Sequence, residues 1–174
     1  RMTYDLDVML DVAKRCQKEL PQVRFLFYGG GTELSHLNER VSKEQITNAV
    51  FRGKVRKEEI PSILMRADAT LAHNRATAIT HYGSSNNKLF EYLAAGAPIL
   101  STVKTEESLV VKHNIGIETE DQKTETIVSA LSKLTRLTPQ ERDAIRIREE
   151  KLVKEYDYSH LSLRMEKLFQ SLIE

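Results

Sequence analysis

Short apolar segments alternate with longer amphipathic ones over most of the chain, and this alternation constrains the fold more than any other feature. The apolar segments have the length and composition of buried strands, and they are Val23–Tyr28, Val50–Val55, Ala69–Ala72, Pro98–Ser101 and Ile117–Thr119. Helical patterns stand between them, at Leu6–Leu20, Thr32–Val41, Glu58–Ala67, Lys88–Ala95 and Glu106–His113. Because right-handed crossovers place such helices on both faces of a parallel sheet, the sequence predicts a doubly wound α/β fold.

The C-terminal part of the chain shows helical patterns only. Thr138 to Glu141 has the form of a capping box, and apolar residues from Leu161 to Leu172 form a stripe. We expect a single domain over residues 1–174, with terminal helices at 138–174. The chain enters a helix within a few residues, so we expect a fragment that lacks the first strand and a preceding domain, with part of the stripe left uncovered.

Composition excludes several classes of partner. The 174 residues are 40% hydrophobic, which suits one compact core, and 26 basic against 25 acidic side chains leave a net charge of +1. No global field therefore attracts nucleic acid or an anionic membrane. The single cysteine, Cys16, precludes an internal disulfide and fits a buried side chain in a reducing compartment. A reducing compartment suggests the cytoplasm. The chain shows neither a 20-residue apolar run nor a signal peptide.

One stretch, Gly83 to Gly96, reads GSSNNKLFEYLAAG and carries a cation where a helix disfavours it. Its small polar residues are candidate N-caps and Gly96 is a typical stop. Lys88 then falls in the first turn, where the helix dipole makes a positive charge unfavourable by a few tenths of a kcal/mol or more. We therefore expect a negative partner, which is either Glu91 one turn on or a bound anion such as a phosphate.

The predicted sheet places this stretch beside other loops that follow strands. Ligands bind outside the carboxyl ends of parallel strands, where Gly29–Gly31, Gly53–Lys57 and His73–Ser85 would also lie. There Glu91 could accept hydrogen bonds from ribose hydroxyls while backbone amides hold a diphosphate. The simpler alternative is a capped helix with a surface pair between Lys88 and Glu91.

The chain resembles the C-terminal nucleotide-sugar-binding domain of GT-B glycosyltransferases of retaining family four. Three segments carry the resemblance, and in chain order they are FLFYGGGTEL, VFRGKVRKEEIPSILMRADATLA and GSSNNKLFEYLAAGAPIL. The similarity covers nearly the whole chain and is greatest to bacterial capsule and lipopolysaccharide enzymes. It implies a Rossmann-like domain of a hexosyltransferase that uses a UDP- or GDP-sugar. The acceptor, a glycan or lipid-linked molecule, would be held by a missing N-terminal domain. We expect no metal, because Asp5 and Asp7, which superficially match the metal-binding Asp-x-Asp of another glycosyltransferase fold, suit a helix start instead, and we expect no cofactor. The resemblance allows the full-length protein to associate peripherally with the inner face of the membrane.

The resemblance also implies roles for individual residues. Glu91 would bind the ribose, and Lys88 would stabilise the leaving diphosphate. The remaining residues of the implied donor site are Ser85, Asn86, Asn87 and Leu89 at the diphosphate and sugar, and Gly53, Lys54 and Val55 at the base. Gly30, in the glycine-rich turn, is a further candidate near the donor. Gly83 stands where the family has its first glutamate, and the family's Gly-rich loop and further cations fall before or around residue 1, so this part alone should bind weakly and turn over nothing.

Two other functions compete with a glycosyltransferase. A nucleotide-sugar epimerase of GT-B architecture would need an acid and a base facing the sugar, and the sequence offers no convincing pair. A flavodoxin-like binding module without chemistry would place acids after the first and third strands, where Tyr28 and Ala72 are followed by none. Less specific signals favour structural interpretations: Asp5 and Asp7 as helix caps, the five histidines as structural or exposed, and a solvated rim for Arg52, Lys54, Arg56 and Lys57.

Overall fold

Strands and helices alternate along the chain up to residue 118, and only helices follow among the residues that the structure describes. A computed structural model describes residues 4–77, 80 and 87–172. Its strands are β1 (Phe25–Tyr28), β2 (Ala49–Gly53), β3 (Thr70–Ala72), β4 (Ile99–Ser101) and β5 (Gly116–Glu118). Its helices are α1 (Leu6–Glu19), α2 (Leu34–Lys43), α3 (Ile60–Leu64), α4 (Asn87–Ala95), α5 (Leu109–Lys112), α6 (Thr124–Thr135), α7 (Pro139–Glu155) and α8 (Tyr158–Ser171).

The strands form two parallel sheets. In the first, β1 pairs with β2, with Phe25 opposite Ala49. In the second, β4 lies between β3 and β5, so that Ile99 stands opposite both Thr70 and Gly116. The predicted parallel α/β architecture is therefore confirmed.

Among the described helices, α1 contributes the most buried residues to the main core. Its residues at helical spacing are fully buried, and they are Met9, Leu10, Val12, Ala13 and Cys16. The cluster that they form includes side chains from both sheets and from α6. Burial raises the pKa of the Cys16 thiol to about 11, which confirms that this cysteine is a core residue rather than a reactive one.

Arg40 joins α1 to α2 through several acceptors. Its guanidinium donates to the Asp7 carboxylate at 2.8 Å and to Glu44 at 2.7 Å, and it also contacts Asp11. The hydrogen bond from Arg40 to Glu44, with another from Lys14, lowers the pKa of Glu44 to about 2. Asp5 occupies the N-cap position of α1 without a capping bond from its side chain. The predicted placement of both acids at the helix start is confirmed, with Asp5 at the N-cap and Asp7 in the first turn, but no side-chain capping bond forms at Asp5 and the Asp7 carboxylate binds Arg40 of a neighbouring helix.

Several predicted boundaries differ from the structure. Helix α2 begins at Leu34 with Glu33 at the N-cap, so Thr32 does not cap it. Strand β2 ends at Gly53, two residues early, because its φ of +72° turns the chain. The helix predicted at 58–67 is a 3₁₀ turn (Lys57–Glu59) followed by the five residues of α3, and that predicted at 106–113 is the four-residue α5, capped by Ser108.

The terminal helices follow the sequence prediction closely. At the start of α7 the Thr138 hydroxyl accepts from the Glu141 amide and the Glu141 carboxylate accepts from the Thr138 amide, which is the predicted capping box. Most apolar residues of α8 are more than half exposed, although Leu161 is partly buried. The exposed ones are Leu163, Met165, Leu168 and Phe169, together with Leu172 at the C-cap. No helix in the described part of the chain is long and apolar enough to cross a bilayer.

Helix α7 carries a buried acid next to the second core, a cluster of buried residues that comprises Leu93, Ile99, Val110, Ile115, Ile145 and Leu152. Glu149 is fully buried beside Ile145 and Leu152, and neither carboxylate oxygen has a hydrogen-bond partner among the described residues. Burial raises the pKa of Glu149 to about 8, with the positive charge of Arg148 opposing the shift. This carboxyl group is therefore neutral in the folded protein at neutral pH.

We expect Glu149 to make the protein less stable as the pH rises. Its folded pKa of about 8 lies above the ordinary value of 4.5, so its contribution is fully present below pH 4.5 and is lost as the pH approaches 8. Within that window the free energy of unfolding should fall by up to about 1.4 kcal/mol per pH unit relative to Glu149→Gln. Urea denaturation between pH 5 and 8 measures the difference. Glu155→Gln, at an exposed position of the same helix, should follow the wild type, and parallel curves for wild type and Glu149→Gln would contradict the prediction.

Gly116 tests the register of the second sheet. A Cβ there would lie 1.9 Å from the carbonyl oxygen of Ile99, a contact that only a shift of the strands relieves. We expect Gly116→Ala to lower the free energy of unfolding by about 3 kcal/mol or more. Gly31→Ala is the matched control, because a Cβ at Gly31 has no neighbour within 4 Å. Equal stability of the two variants in urea titrations would show that β4 and β5 are not paired in this register.

Candidate functional site

The loops at the carboxyl ends of β1 and β2 meet as the sequence predicted. The amide of Gly29 donates to the carbonyl of Gly53 at 2.7 Å, and both glycines have a positive φ. A Cβ on Gly30 would lie 3.2 Å from Cε of Lys54, so the lysine side chain lies across the bare backbone of Gly30. The structure thus brings together Gly30, Gly53 and Lys54, with Val55 next in the chain.

The basic residues after β2 are solvated, as predicted for a rim. Arg56 is 80% exposed in its side chain and forms a local pair with Glu59, with Nε 3.2 Å from Oε2. The Glu59 carboxylate also accepts from the Arg56 amide at 2.9 Å. Arg56 is therefore engaged in starting the 3₁₀ turn, whereas Lys54 is the cation that contacts the glycine turn.

A buried polar network lies at the carboxyl ends of β3 and β4. The His73 side chain, only 6% of whose residue surface is exposed, places Nε2 2.9 Å from the Asp5 carbonyl and Nδ1 2.6 Å from the Thr102 hydroxyl. Because a carbonyl can only accept, Nε2 carries a proton. Burial lowers the pKa of His73 and favours the neutral ring, whose Nδ1 then accepts from Thr102. His73 is structural, as the sequence predicted.

Gln122 extends this network to the loop that follows β3. Its amide nitrogen donates to the Asn74 carbonyl at 2.7 Å, and its amide oxygen accepts from the Ala76 backbone at 3.2 Å. The loop after β3 is thereby tied to the segment between β5 and α6. Sequence reasoning missed Thr102 and Gln122, because neither belongs to a motif and each acts through partners distant in the chain.

Helix α4 contains Lys88 and the rest of the predicted motif from Asn87 onward. Lys88 lies in its first turn, and Gly96 ends the helix with a φ of +71°, both as predicted. Leu89 packs on the second core, while Asn87 is exposed and Glu91 is partly buried one turn further in. Ser85 and Asn86, together with the other candidate N-caps at 84 and the departure at Gly83, lie outside the described residues.

Tyr4 is a partner of Lys88 that the sequence did not indicate. The ammonium donates to the tyrosine hydroxyl at 2.8 Å and lies 4.1 Å from the ring centroid. An aromatic face attracts a cation without carrying a formal charge, and this contact offsets part of the unfavourable helix dipole. Tyr4 stands just ahead of α1, so the contact also joins the starts of α1 and α4. Tyr92, on the same helix, is partly buried, and its removal from water raises the pKa of its hydroxyl to about 12 and keeps it neutral.

Residues 9–170 match the protein-family model described as glycosyl transferase-like, and the chain therefore belongs to that family. No protein with a curated description shows significant similarity to it.

Solved structures confirm the fold. The pneumococcal O-GlcNAc transferase GtfA, determined with UDP and GlcNAc, superposes with a TM-score of 0.69 at 17% identity over 98% of this chain. WaaG, a glycosyltransferase involved in lipopolysaccharide biosynthesis, gives 0.68 at 18% identity over 87%. The C-terminal domain of LpcC, a group 1 glycosyltransferase from Francisella tularensis, gives 0.69 at 18% identity over 91%. The matched region spans 34% of GtfA, 40% of WaaG and 82% of the LpcC domain.

The contact between Tyr4 and Lys88 can be measured by a double-mutant cycle. We expect Tyr4→Leu and Lys88→Met to be coupled by about 0.5–1 kcal/mol in the free energy of unfolding, the range for cation–π pairs at exposed sites. Tyr4→Phe should keep most of the coupling if the ring dominates. Tyr158→Leu, at a tyrosine that is 90% exposed, is the matched control and should be additive with Lys88→Met. Additivity of the Tyr4 and Lys88 variants would show that the contact does not hold the two helix starts together.

Proposed function

We propose that the chain is the donor-binding half of a retaining glycosyltransferase of the hexosyltransferase type. It would bind a UDP- or GDP-sugar and transfer the sugar to a glycan or lipid-linked acceptor in the biosynthesis of cell-surface glycans. One observation carries the proposal: α4 presents Lys88 at its start and Glu91 one turn further in, next to the first residues of α1. Family membership supports the reaction class, and the UDP in the GtfA structure and the pathway of WaaG support the donor and the setting.

In this proposal the start of α4 binds the diphosphate. Backbone amides at a helix N-terminus attract anions, and Lys88 adds a full positive charge. When the bond between the anomeric carbon and the diphosphate breaks, negative charge develops on the leaving phosphate oxygens. A cation already in place stabilises this charge more in the transition state than in the bound donor, and that difference accelerates transfer. Lys88 is thus the proposed catalytic residue, and Asn87, Leu89, Ser85 and Asn86 complete the segment at the diphosphate and sugar.

The nucleoside would extend from the diphosphate to the neighbouring loops. Glu91 accepts hydrogen bonds from the ribose hydroxyls, because an ionised carboxylate offers acceptors only. Gly53, Lys54 and Val55 line the base, and Gly30, which has no Cβ, makes room for the Lys54 side chain beside them. We propose that the reaction uses neither a metal nor a cofactor.

We propose that the acceptor binds to a domain of the full-length protein outside these 174 residues. The chain spans 34–40% of the longer enzymes that it resembles, which leaves room in such proteins for an acceptor domain. We propose that the full-length protein works in the cytoplasm, at the inner face of the membrane, as suits the synthesis of cell-surface glycans on lipid-linked acceptors.

The geometry gives no support to the epimerase alternative. His73 is the histidine found at the carboxyl ends of the described strands, and both of its ring nitrogens are already engaged, by the Asp5 carbonyl and Thr102. A histidine acts as a general acid or base only when one of its ring nitrogens can reach the substrate, so His73 does not supply the group that an epimerase needs. Incubation of the full-length protein with a sugar nucleotide but no acceptor separates the two activities, because an epimerase would change the sugar and a transferase would not.

Calorimetric titration with UDP, GDP and UDP-sugars tests the donor site. We expect one nucleotide series to bind, and Glu91→Ala to weaken its affinity by about 10-fold or more, since hydrogen bonds to a charged group contribute about 1.5–3 kcal/mol. Glu166→Ala, at an exposed glutamate on α8, is the matched control and should bind like the wild type. Unchanged affinity in Glu91→Ala would contradict the assignment of Glu91 to the ribose. Transfer of sugar by the 174 residues alone, at rates typical of two-domain enzymes, would contradict the proposal that a second domain holds the acceptor.

A further inference from the structure

Arg75 presents an exposed cation on a loop whose backbone is held in place. It lies three residues past β3, between Asn74 and Ala76. The side-chain amide of Gln122 binds both neighbours, because its nitrogen donates to the Asn74 carbonyl at 2.7 Å and its oxygen accepts from the Ala76 amide at 3.2 Å. The Arg75 side chain itself is 63% exposed. The fold thus fixes the backbone of this residue and leaves its guanidinium accessible.

The guanidinium of Arg75 forms a loose ion pair with a carboxylate at the start of α1. Its Nη2 atom lies 3.7 Å from Oδ2 of Asp5, which is near the upper limit for an ion pair. An exposed pair of this kind contributes little to stability, because water and salt screen both charges. A stronger anionic ligand can therefore displace the Asp5 carboxylate from the guanidinium.

Two cations contact the short segment formed by residues 4 and 5. The Lys88 ammonium lies 2.8 Å from the Tyr4 hydroxyl, and Arg75 pairs with Asp5, the next residue. His73 ties the end of β3 to the same segment, because its Nε2 lies 2.9 Å from the Asp5 carbonyl. Ligands of parallel sheets bind outside the carboxyl ends of the strands, which is where this segment lies. The structure therefore places a second cation near the start of α4, one that no sequence motif indicates.

We propose that Arg75 is a further diphosphate-binding residue, and that its guanidinium exchanges the Asp5 carboxylate for a phosphate group when the donor binds. This inference rests on the proposed function, because it takes the donor to be a nucleotide-sugar whose diphosphate lies at the start of α4. A guanidinium suits this role, since its planar fork donates two parallel hydrogen bonds to one phosphate. Lys88 and Arg75 then neutralise the diphosphate together, and Gln122 holds the loop of Arg75 in place before the donor arrives.

Asp5 opposes donor binding in this proposal. Its carboxylate pairs with Arg75 in the absence of donor, and its negative charge repels a phosphate that approaches the same guanidinium. A purely structural ion pair behaves differently, because the loss of either partner breaks the same contact and has the same consequence. The separate removal of the two charges therefore distinguishes an anion-binding arginine from a structural one.

Calorimetric titration of UDP, GDP and inorganic pyrophosphate into charge variants of the 174-residue chain tests the proposal. We expect Arg75→Gln to weaken the binding of the preferred nucleotide by about tenfold or more, because hydrogen bonds to a charged group are lost. Arg75→Lys keeps the charge without the fork, so its affinity should lie between those of Arg75→Gln and the wild type. Asp5→Asn, which keeps the carbonyl that His73 binds, should strengthen binding by about threefold. Arg164→Gln, at an exposed arginine of α8, is the matched control and should bind like the wild type.

Pyrophosphate separates this inference from the assignment of Glu91 to the ribose. It has no ribose, so Arg75→Gln should weaken its binding and Glu91→Ala should not. Weaker nucleotide binding in both Arg75→Gln and Asp5→Asn would show that the ion pair is structural, and the inference would be wrong. Wild-type affinity in Arg75→Gln, together with lost affinity in Glu91→Ala, would overturn the role of Arg75 and leave the proposed donor site standing. A wild-type chain that binds neither nucleotide nor pyrophosphate would overturn both.

Discussion

The burial of one side of α1 is the interaction on which the rest of the structure depends. Its five fully buried residues contact a cluster that includes strands of both sheets and α6, so this helix unites elements that share no strand pairing. Because the burial of apolar side chains contributes about 1.5–3 kcal/mol for each large residue, this face outweighs any single polar contact in the molecule. The ion pairs of Arg40 with Asp7 and Asp11 then fix α2 against α1.

The same helix determines where the candidate site residues lie. The Asp5 carbonyl fixes His73, and His73 fixes Thr102, so the carboxyl ends of β3 and β4 are aligned by the segment that enters α1. Tyr4, one residue earlier, contacts Lys88 and brings the start of α4 to the same place. The electrostatic character of the site is therefore a tertiary property, because a cation placed against its own helix dipole is supported by an aromatic ring from another element.

Local rules predicted those parts of the fold that depend on neighbouring residues. The capping box at Thr138, the stop at Gly96 and the burial of Cys16 follow from spacing and backbone geometry alone, and they agree with the structure. The rule failed where a distant partner competes: Asp7 binds Arg40 rather than capping α1. The roles of Tyr4 and Glu149 could not be predicted from the sequence. Tyr4 contacts a residue 84 positions away, and Glu149 is a buried acid on a helix whose other charged residues give no sign of its burial.

The position of Cys16 has a practical consequence for following the motions of this protein. The chain has one cysteine, its thiol lies entirely within the α1 face, and its raised pKa keeps it protonated. A thiol reagent can therefore react only when α1 separates from the cluster that it covers, and the reaction rate reports that opening without any introduced label. The molecule thus carries its own reporter at the element that joins its two sheets.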